Sequence, residues 1–353
     1  MRVAIIGAGV MGCAAALALR ARGAEVVLLE RAVPGAEASS AAAGVLGAQI
    51  ESGASPRMLP MFVRARADYA AWASELREAT GIDVGHRVSG LLQVAYTDEE
   101  LEKLRQLVDW QSREGLRAEL VDGPRARSIE PELGGDLRGA AYFPDESQVD
   151  PPLLLRALSA AVARARVDLR RGTTVTRLLL AGDRCAGVCL ADGEVVADAT
   201  VLAAGSWSSL VPGVPDALPK VRPVRGQMVQ LEERPPRART IVFGAGAYLV
   251  PRGDGRVVCG STLESVGYER AVTAGGVSAI LRGVLALVPS LASAELGATW
   301  SNFRPYLGTD DAPPLLGASP LPGLFLATGH HRNGILLAKV TGATVADAVC
   351  GSR

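Results

Sequence analysis

Apolar residues fill positions 3–6 and, after Glu25, positions 26–29, with an Ala-rich apolar stretch over 10–22 between them, stopped at Gly23. Short continuous apolar blocks bounded by Gly read as buried strands, and the stretch between them reads as a helix. The pattern predicts a strand–helix–strand unit beginning at residue 2. Small residues dominate 34–47, followed by a helix over 58–79 that Gly81 ends. Thr97 and Glu100 have capping-box spacing before a helix over 99–113. Asp150 followed by Pro151 caps a helix over 153–166. From Val167 the pattern shifts to strands. Segments 175–180, 185–190 and 195–196, separated by Gly182-Asp183 and Asp192-Gly193, predict a small antiparallel meander. A strand over 200–204 runs into Gly205. A second strand-rich stretch spans 219–260, with a hairpin signal at Gly253-Asp254-Gly255, and a helix is expected over 334–349.

The 353 residues suit about two domains. At 48% apolar and 21% charged, the chain is not extensively disordered. Acidic and basic residues balance at 37 each, so there is no bulk attraction to nucleic acid or anionic membrane. The five cysteines are scattered, with no CxxC pair or His/Cys cluster, which argues against a disulfide framework and a metal site. Cys185 and Cys189 read as small hydrophobes on a strand. Residues 2–19 superficially resemble a secretory signal, but Gly7, Gly9 and Gly12 interrupt them in a meaningful order. No other apolar run reaches the roughly 18 residues that span a bilayer. The expectation is a cytoplasmic protein without a membrane or nucleic-acid partner.

Gly7-Ala8-Gly9-Val10-Met11-Gly12 is GxGxxG on a strand-to-helix turn, and Glu30 closes the second strand. The first Gly makes the turn, the second admits a pyrophosphate and the third lets the helix pack on the strand. The pyrophosphate would lie on the helix N-terminus. Glu30 would accept from the adenosine ribose and repel a 2′-phosphate. This fingerprint does not separate NAD from FAD. The tiny side chains of Ser39-Ser40-Ala41-Ala42-Ala43-Gly44-Val45-Leu46-Gly47 would let backbone lie against a flat ring, as FAD requires, or form a plain Ala-rich packing segment. The nucleotide domain is expected over 1–85, 140–218 and 305–353, interleaved with a substrate domain over 86–139 and 219–304.

The runs SSAAAGVLGAQIE (39–51) and GHHRNGILLA (329–338) resemble the glycine oxidases of thiamine biosynthesis, within the D-amino acid oxidase/sarcosine oxidase class of flavoproteins. Tyr142-Phe143-Pro144-Asp145 with Gln148-Val149-Asp150, LAAGSW (202–207), RPVRGQ (222–227) and YLVPR (248–252) extend the resemblance along nearly the whole chain. It implies an α/β fold with an α+β substrate part: a Rossmann-like FAD-binding domain interleaved with an antiparallel-sheet substrate domain. It also implies FAD contacts at Gly7, Gly9, Val10, Met11, Gly12, Glu30 and Arg31, then at Ser39, Ser40, Ala43, Gly44 and Val45. Val175 would meet the adenine through its backbone, and Gly205 would end the strand under the ribose. His330, His331, Arg332, Asn333, Gly334, Ile335 and Leu336 would face the flavin from a helix N-terminus, which stabilises negative charge. Adjacent histidines cannot face one metal from one helix, and no metal is expected.

The implied reaction oxidises an amine beside a carboxylate. Hydride leaves Cα for the flavin, water converts the imine of glycine to glyoxylate and ammonia, and O2 becomes hydrogen peroxide. No catalytic side chain is required, because the cofactor performs the chemistry. Arg304 matches the carboxylate-binding arginine, whose planar fork gives two parallel hydrogen bonds. Tyr248 and Arg332 match its substrate-binding companions. No cysteine stands where relatives attach flavin covalently, so noncovalent FAD is expected. The expected partners are a small amine and O2, and a homo-oligomer is compatible with the sequence. Three departures bear on the preferred amine. The segment after Arg304-Pro305 is two residues longer than usual and has Ala312 for Gly. Gly244-Ala245-Gly246-Ala247 replaces a stretch with a His before the tyrosine. Leu263 stands where some relatives have Met. Sarcosine oxidase, D-amino acid oxidase or dehydrogenase activity, or a non-catalytic flavin protein, are the alternatives.

Overall fold

A computed structural model describes residues 1–52 and 56–351. A six-stranded sheet runs in the order Leu315–Ala318, Leu324–Thr328, Ala199–Leu202, Arg2–Ile6, Glu25–Leu29, Asp168–Arg170. All neighbours are parallel except the first pair. Val3 pairs with Ala199 on one side and Val26 on the other. Both faces of the opening strand are covered: Val3 and Ile5 join one apolar cluster, Ala4 and Ile6 another. That is why the strand reads as a continuous apolar run. Helix Val10–Ala21 packs against helix Gly334–Cys350 so closely that a Cβ on Gly342 would lie 2.6 Å from the Ala14 carbonyl oxygen. The nucleotide-type sheet therefore draws on the beginning, middle and end of the chain.

An eight-stranded sheet orders Glu295–Tyr306, Arg222–Glu232, Arg256–Gly260, Ala247–Pro251, Ile241–Gly244, Leu91–Ala95, Gly139–Phe143, Glu119–Val121. Its pairs are antiparallel except Ile241–Gly244 with Leu91–Ala95, which is parallel. The strand Gly139–Phe143 belongs to this sheet, although the segmentation above begins a nucleotide segment at 140. The meander forms as Arg177–Ala181, Arg184–Cys189 and Glu194–Val196, so Val175 precedes the strand it was expected to open.

The capping box on Thr97 and Glu100 is present, and helix Asp98–Arg113 begins there. Asp150 caps helix Pro151–Arg164 by accepting from the Leu153 N–H at 3.3 Å. The single helix expected over 58–79 is two, Leu59–Ala67 and Tyr69–Thr80, joined at Asp68 and preceded by a 3-10 turn at Pro56–Met58. The buried stripe of Phe62, Ala65, Tyr69, Trp72 and Leu76 runs through the joint without interruption, so the pattern hides the break. The small-residue segment is not all loop. It holds a one-turn helix, Ala38–Ala41, and a short strand, Val45–Leu46, paired with Ser147–Gln148. All five cysteines are free. No described helix is long and apolar enough to cross a membrane.

Candidate functional site

A cleft of about 310 Å³ opens at the carboxyl ends of the parallel strands, where open α/β sheets bind ligands. Gly7, Gly9, Val10, Met11, Glu30, Arg31, Ser39, Val175, Gly205, His330, His331, Arg332, Gly334 and Ile335 line it. A Cβ on Gly12 would sit 1.8 Å from the Gly7 carbonyl oxygen, and one on Gly7 would sit 2.6 Å from that of Ala203. The turn therefore closes only with glycine at both positions. No side chain caps helix Val10–Ala21 at Gly9. The Val10 N–H donates to Ser39 Oγ at 3.0 Å, which ties the small-residue segment to the glycine turn.

Glu30 is nearly buried and already has two backbone donors: Ala8 N–H to Oε2 and Ala32 N–H to Oε1, each at 2.9 Å. It holds the turn in place, and a carboxylate has further lone-pair sites for a ribose. Beside it the Arg31 guanidinium lies 4.1 Å from the centre of the Trp207 ring and pairs with Glu37 at 2.7 Å. Glu37 also pairs with Arg270, and the Tyr268 hydroxyl donates to the Ser206 carbonyl at 2.6 Å. These two contacts strap the segment after the Arg256–Gly260 strand across the rim of the cleft.

The late motif lies where the cleft meets a second cavity. Helix Gly334–Cys350 starts without a side-chain cap. His331 adopts φ +47, and its N–H donates to the Pro305 carbonyl at 3.0 Å. His330 shares a hydrogen on Nε2 with Thr341 Oγ1 at 2.9 Å, while its Nδ1 is buried without a partner. Burial holds the His330 imidazole down at about 3. Burial, reinforced by Arg332 and Arg304, holds that of His331 at about 4. Both rings are neutral at neutral pH. Among the described residues no cluster of metal-ligating side chains forms.

The second cavity, about 390 Å³, lies between the small-residue segment and the eight-stranded sheet; Ala43, Gly44, Val45, Tyr248, Arg304 and Asn333 line it. Ala42, His331, Arg332 and Ile335 line both cavities, so the two adjoin. Gly12, Ser40 and Leu336 line neither. Gly12 packs inside the turn, and Leu336 is in the core.

Arg304 is held by Ser261 Oγ, which accepts from Nη2 at 2.8 Å, and by the Thr262 carbonyl, which accepts from Nη1 at 3.2 Å. Its guanidinium lies across Gly226, where a Cβ would be 2.1 Å from Nη1. Tyr248 stacks on Phe243 with ring centres 4.8 Å apart. Burial pushes its hydroxyl above the ordinary range, against the pull of Arg304. Arg332 pairs through Nε with Glu51 at 3.1 Å. Burial raises the Glu51 carboxyl despite Arg332 and Arg304.

Several residues that shape the site escaped the sequence reading. Glu51 is a lone acid closing an apolar small-residue run, and that contrast was its only signal. Gly226 lies within RPVRGQ with nothing to announce the arginine above it. Buried Arg252, in YLVPR, donates to Gln148 Oε1 and to the Ala43 carbonyl, fixing the segment that faces the cavity. Behind it, fully buried Glu146 accepts from the Ala48 and Ile50 N–H groups at 3.0 and 3.3 Å, and also from that of Gln49.

These features fit FAD. A cradle that only glycine forms meets a helix N-terminus, an acid faces the adenosine end, and a second uncapped helix start with an orphaned buried His330 Nδ1 adjoins a cavity beyond. No cysteine lines either cavity.

The family model for FAD dependent oxidoreductases (DAO) matches residues 2–348. The glycine oxidase of Geobacillus kaustophilus (strain HTA426) is 39% identical over 352 residues, covering 98% of this chain and 92% of its own length. The bifunctional protein ThiO/ThiG of Nostoc sp. (strain PCC 7120) is 36% identical over 98% of this chain, which spans 52% of that protein. The crystal structure of glycine oxidase from Geobacillus kaustophilus superposes with a TM-score of 0.94 at 37% identity, covering 100% of this chain and 95% of the other. That of iminodiacetate oxidase (IdaA) from Chelativorans sp. BNC1 gives 0.90 at 27%, covering 100% and 96%. With the dinucleotide cleft, the adjoining cavity and a family match along almost its entire length, the chain belongs to the FAD dependent oxidoreductases.

Proposed function

We propose that this FAD-dependent enzyme oxidises glycine to glyoxylate, ammonia and hydrogen peroxide, and that its product serves thiazole formation in thiamine synthesis. The observation that carries the reading is Arg304: a guanidinium fixed by Ser261 and Thr262 in a cavity that adjoins the dinucleotide cleft. Arg304 takes the substrate carboxylate with its fork, helped by the Tyr248 hydroxyl. Arg332, restrained by Glu51, lies where the two cavities meet and bounds the amine side. The FAD contacts named from the sequence that line the cleft hold the cofactor noncovalently. Bound FAD supplies the hydride acceptor and the route to O2. The chain's part is to hold the carboxylate, keep Cα unobstructed and keep charge off His330 and His331. Gly246, with no atom within 4 Å of where its Cβ would stand, leaves one wall open, which supports sarcosine and D-alanine as further substrates. A cytoplasmic location, no nucleic-acid or membrane partner, and self-association belong to the same reading.

The test is anaerobic reduction of the FAD-loaded protein by glycine, sarcosine, D-alanine and D-proline, with peroxide measured in air. Glycine should bleach the flavin and yield peroxide. Bleaching without peroxide would make the protein a dehydrogenase, and a flavin that no amine bleaches would sink the catalytic reading.

A further inference from the structure

One polar side chain in the second cavity has no part in what has been described. Gln93 sits in the middle of strand Leu91–Ala95. Alternation puts it on the same face as Leu91 and Ala95, both fully buried in an apolar cluster against which Phe243 and Tyr248 pack. Its neighbours across the sheet, Ala141 and Phe243, offer no polar side-chain atom. Gln93 Oε1 is buried without a hydrogen-bond partner, and the residue lines the cavity beside Gly244, Gly246 and Ala247. An unpaired buried amide oxygen is costly, and native structures keep few of them. Here the orphan lines the same cavity as Arg304 and Tyr248.

Building on the glycine-oxidase reading, we propose that Gln93 is a specificity-determining residue that binds a hydroxyl on the substituent of a substrate larger than glycine. The substrate class is a hydroxylated small D-amino acid or N-substituted glycine. Arg304 and Tyr248 engage the carboxylate, and Arg332 is paired with Glu51. The amide is therefore left for what extends beyond the aminoacetate core. Gly246 in the adjoining wall, with no atom within 4 Å of where its Cβ would stand, gives such a substituent room. A hydroxyl suits this group because it donates to Oε1 and accepts from Nε2. A site that hydrogen-bonds a hydroxyl disfavours the isostere lacking it, since binding the isostere leaves the amide unpaired.

The experiment uses the FAD-loaded enzyme and two matched pairs: D-serine with D-2-aminobutyrate, and N-(2-hydroxyethyl)glycine with N-propylglycine. In at least one pair kcat/KM should favour the hydroxylated member by about three- to tenfold. Gln93→Leu should bring that ratio to near one, and Gln93→Met serves if the leucine variant does not fold. Ratios near one in the unaltered enzyme, or a ratio unchanged by substitution, would overturn the proposal. A purely structural amide would lower both members of a pair alike. Binding is read independently by titrating the flavin absorbance with 3-hydroxypropionate and butyrate, which contain no amine. The hydroxylated acid should bind several-fold more tightly, and Gln93→Leu should abolish the difference; equal affinities overturn the proposal. If no amine reduces the flavin, glycine oxidation fails as a reading, and this titration still decides the role of Gln93.

Discussion

Arg304 shows how much the position of one side chain owes to its neighbours. Its guanidinium is aimed by Ser261 and Thr262 and lies across Gly226, where any side chain would push it aside. If this group pairs with the substrate carboxylate, truncation leaves that carboxylate buried and unpaired, at a cost of about 2–5 kcal/mol. Arg304→Ala should lower kcat/KM for glycine roughly 30- to several-thousand-fold with a nearly unchanged flavin spectrum. Arg304→Lys should recover part of the loss, because it keeps the charge and gives up the fork. Steady-state kinetics with spectra of both variants check this. Near-normal kcat/KM in Arg304→Ala would move the clamp to Arg332 and Tyr248. Arg304 was singled out by the resemblance, and it lines the second cavity. Glu51 and Gln93 were not singled out, because an acid or amide reveals its role only through what faces it in space.

At the scale of elements, the best-read features were those governed by local chemistry. The Thr97–Glu100 box and the Asp150 cap formed where the sequence placed them. The break at Asp68 was invisible because the apolar stripe crosses it intact. The small-residue segment depends on Gly44, whose φ is +78 and whose Cβ would lie 2.1 Å from the Val149 carbonyl oxygen. Gly44→Ala should therefore displace the segment, lowering stability by about 1–3 kcal/mol and weakening FAD binding, as urea unfolding and flavin fluorescence titration would show. The late motif gives a pH dependence. His330 is held at about 3 in the fold and returns to its ordinary value near 6.5 when unfolded. Below that value the unfolded chain binds more protons. The stability from a neutral His330 is thus present above pH 6.5 and is lost as pH falls towards 3. Between pH 7 and 5 the apoprotein should lose about 2 kcal/mol from this source. His330→Asn, which cannot become charged, should shrink the drop measured by urea titration. Glu146, raised to about 7 by burial, acts in the opposite sense, its contribution fading as pH rises from 4.5 to 7.

The whole molecule places the dinucleotide cleft on one sheet and sets the second cavity against another. Because no cysteine lines either cavity, acid precipitation should release all flavin into the supernatant; colour staying with the pellet would contradict noncovalent binding. The sequence set fingerprint and late motif more than three hundred residues apart, and both line one cleft on a sheet built from the beginning, middle and end of the chain. The sequence did not announce the parallel joint between Ile241–Gly244 and Leu91–Ala95, because strand order is set by packing across the molecule and leaves no local trace. The interleaving has a consequence for synthesis. The opening strand needs Ala199–Leu202 as its neighbour, that strand needs Leu324–Thr328, and helix Gly334–Cys350 packs on Leu324–Thr328 and on helix Val10–Ala21. A ribosome that has delivered the glycine fingerprint has made the first part of a cofactor site whose other wall is still unwritten. Coenzyme capture must then wait for residues 329–338 to emerge, so a nascent chain stalled before residue 334 should carry no flavin.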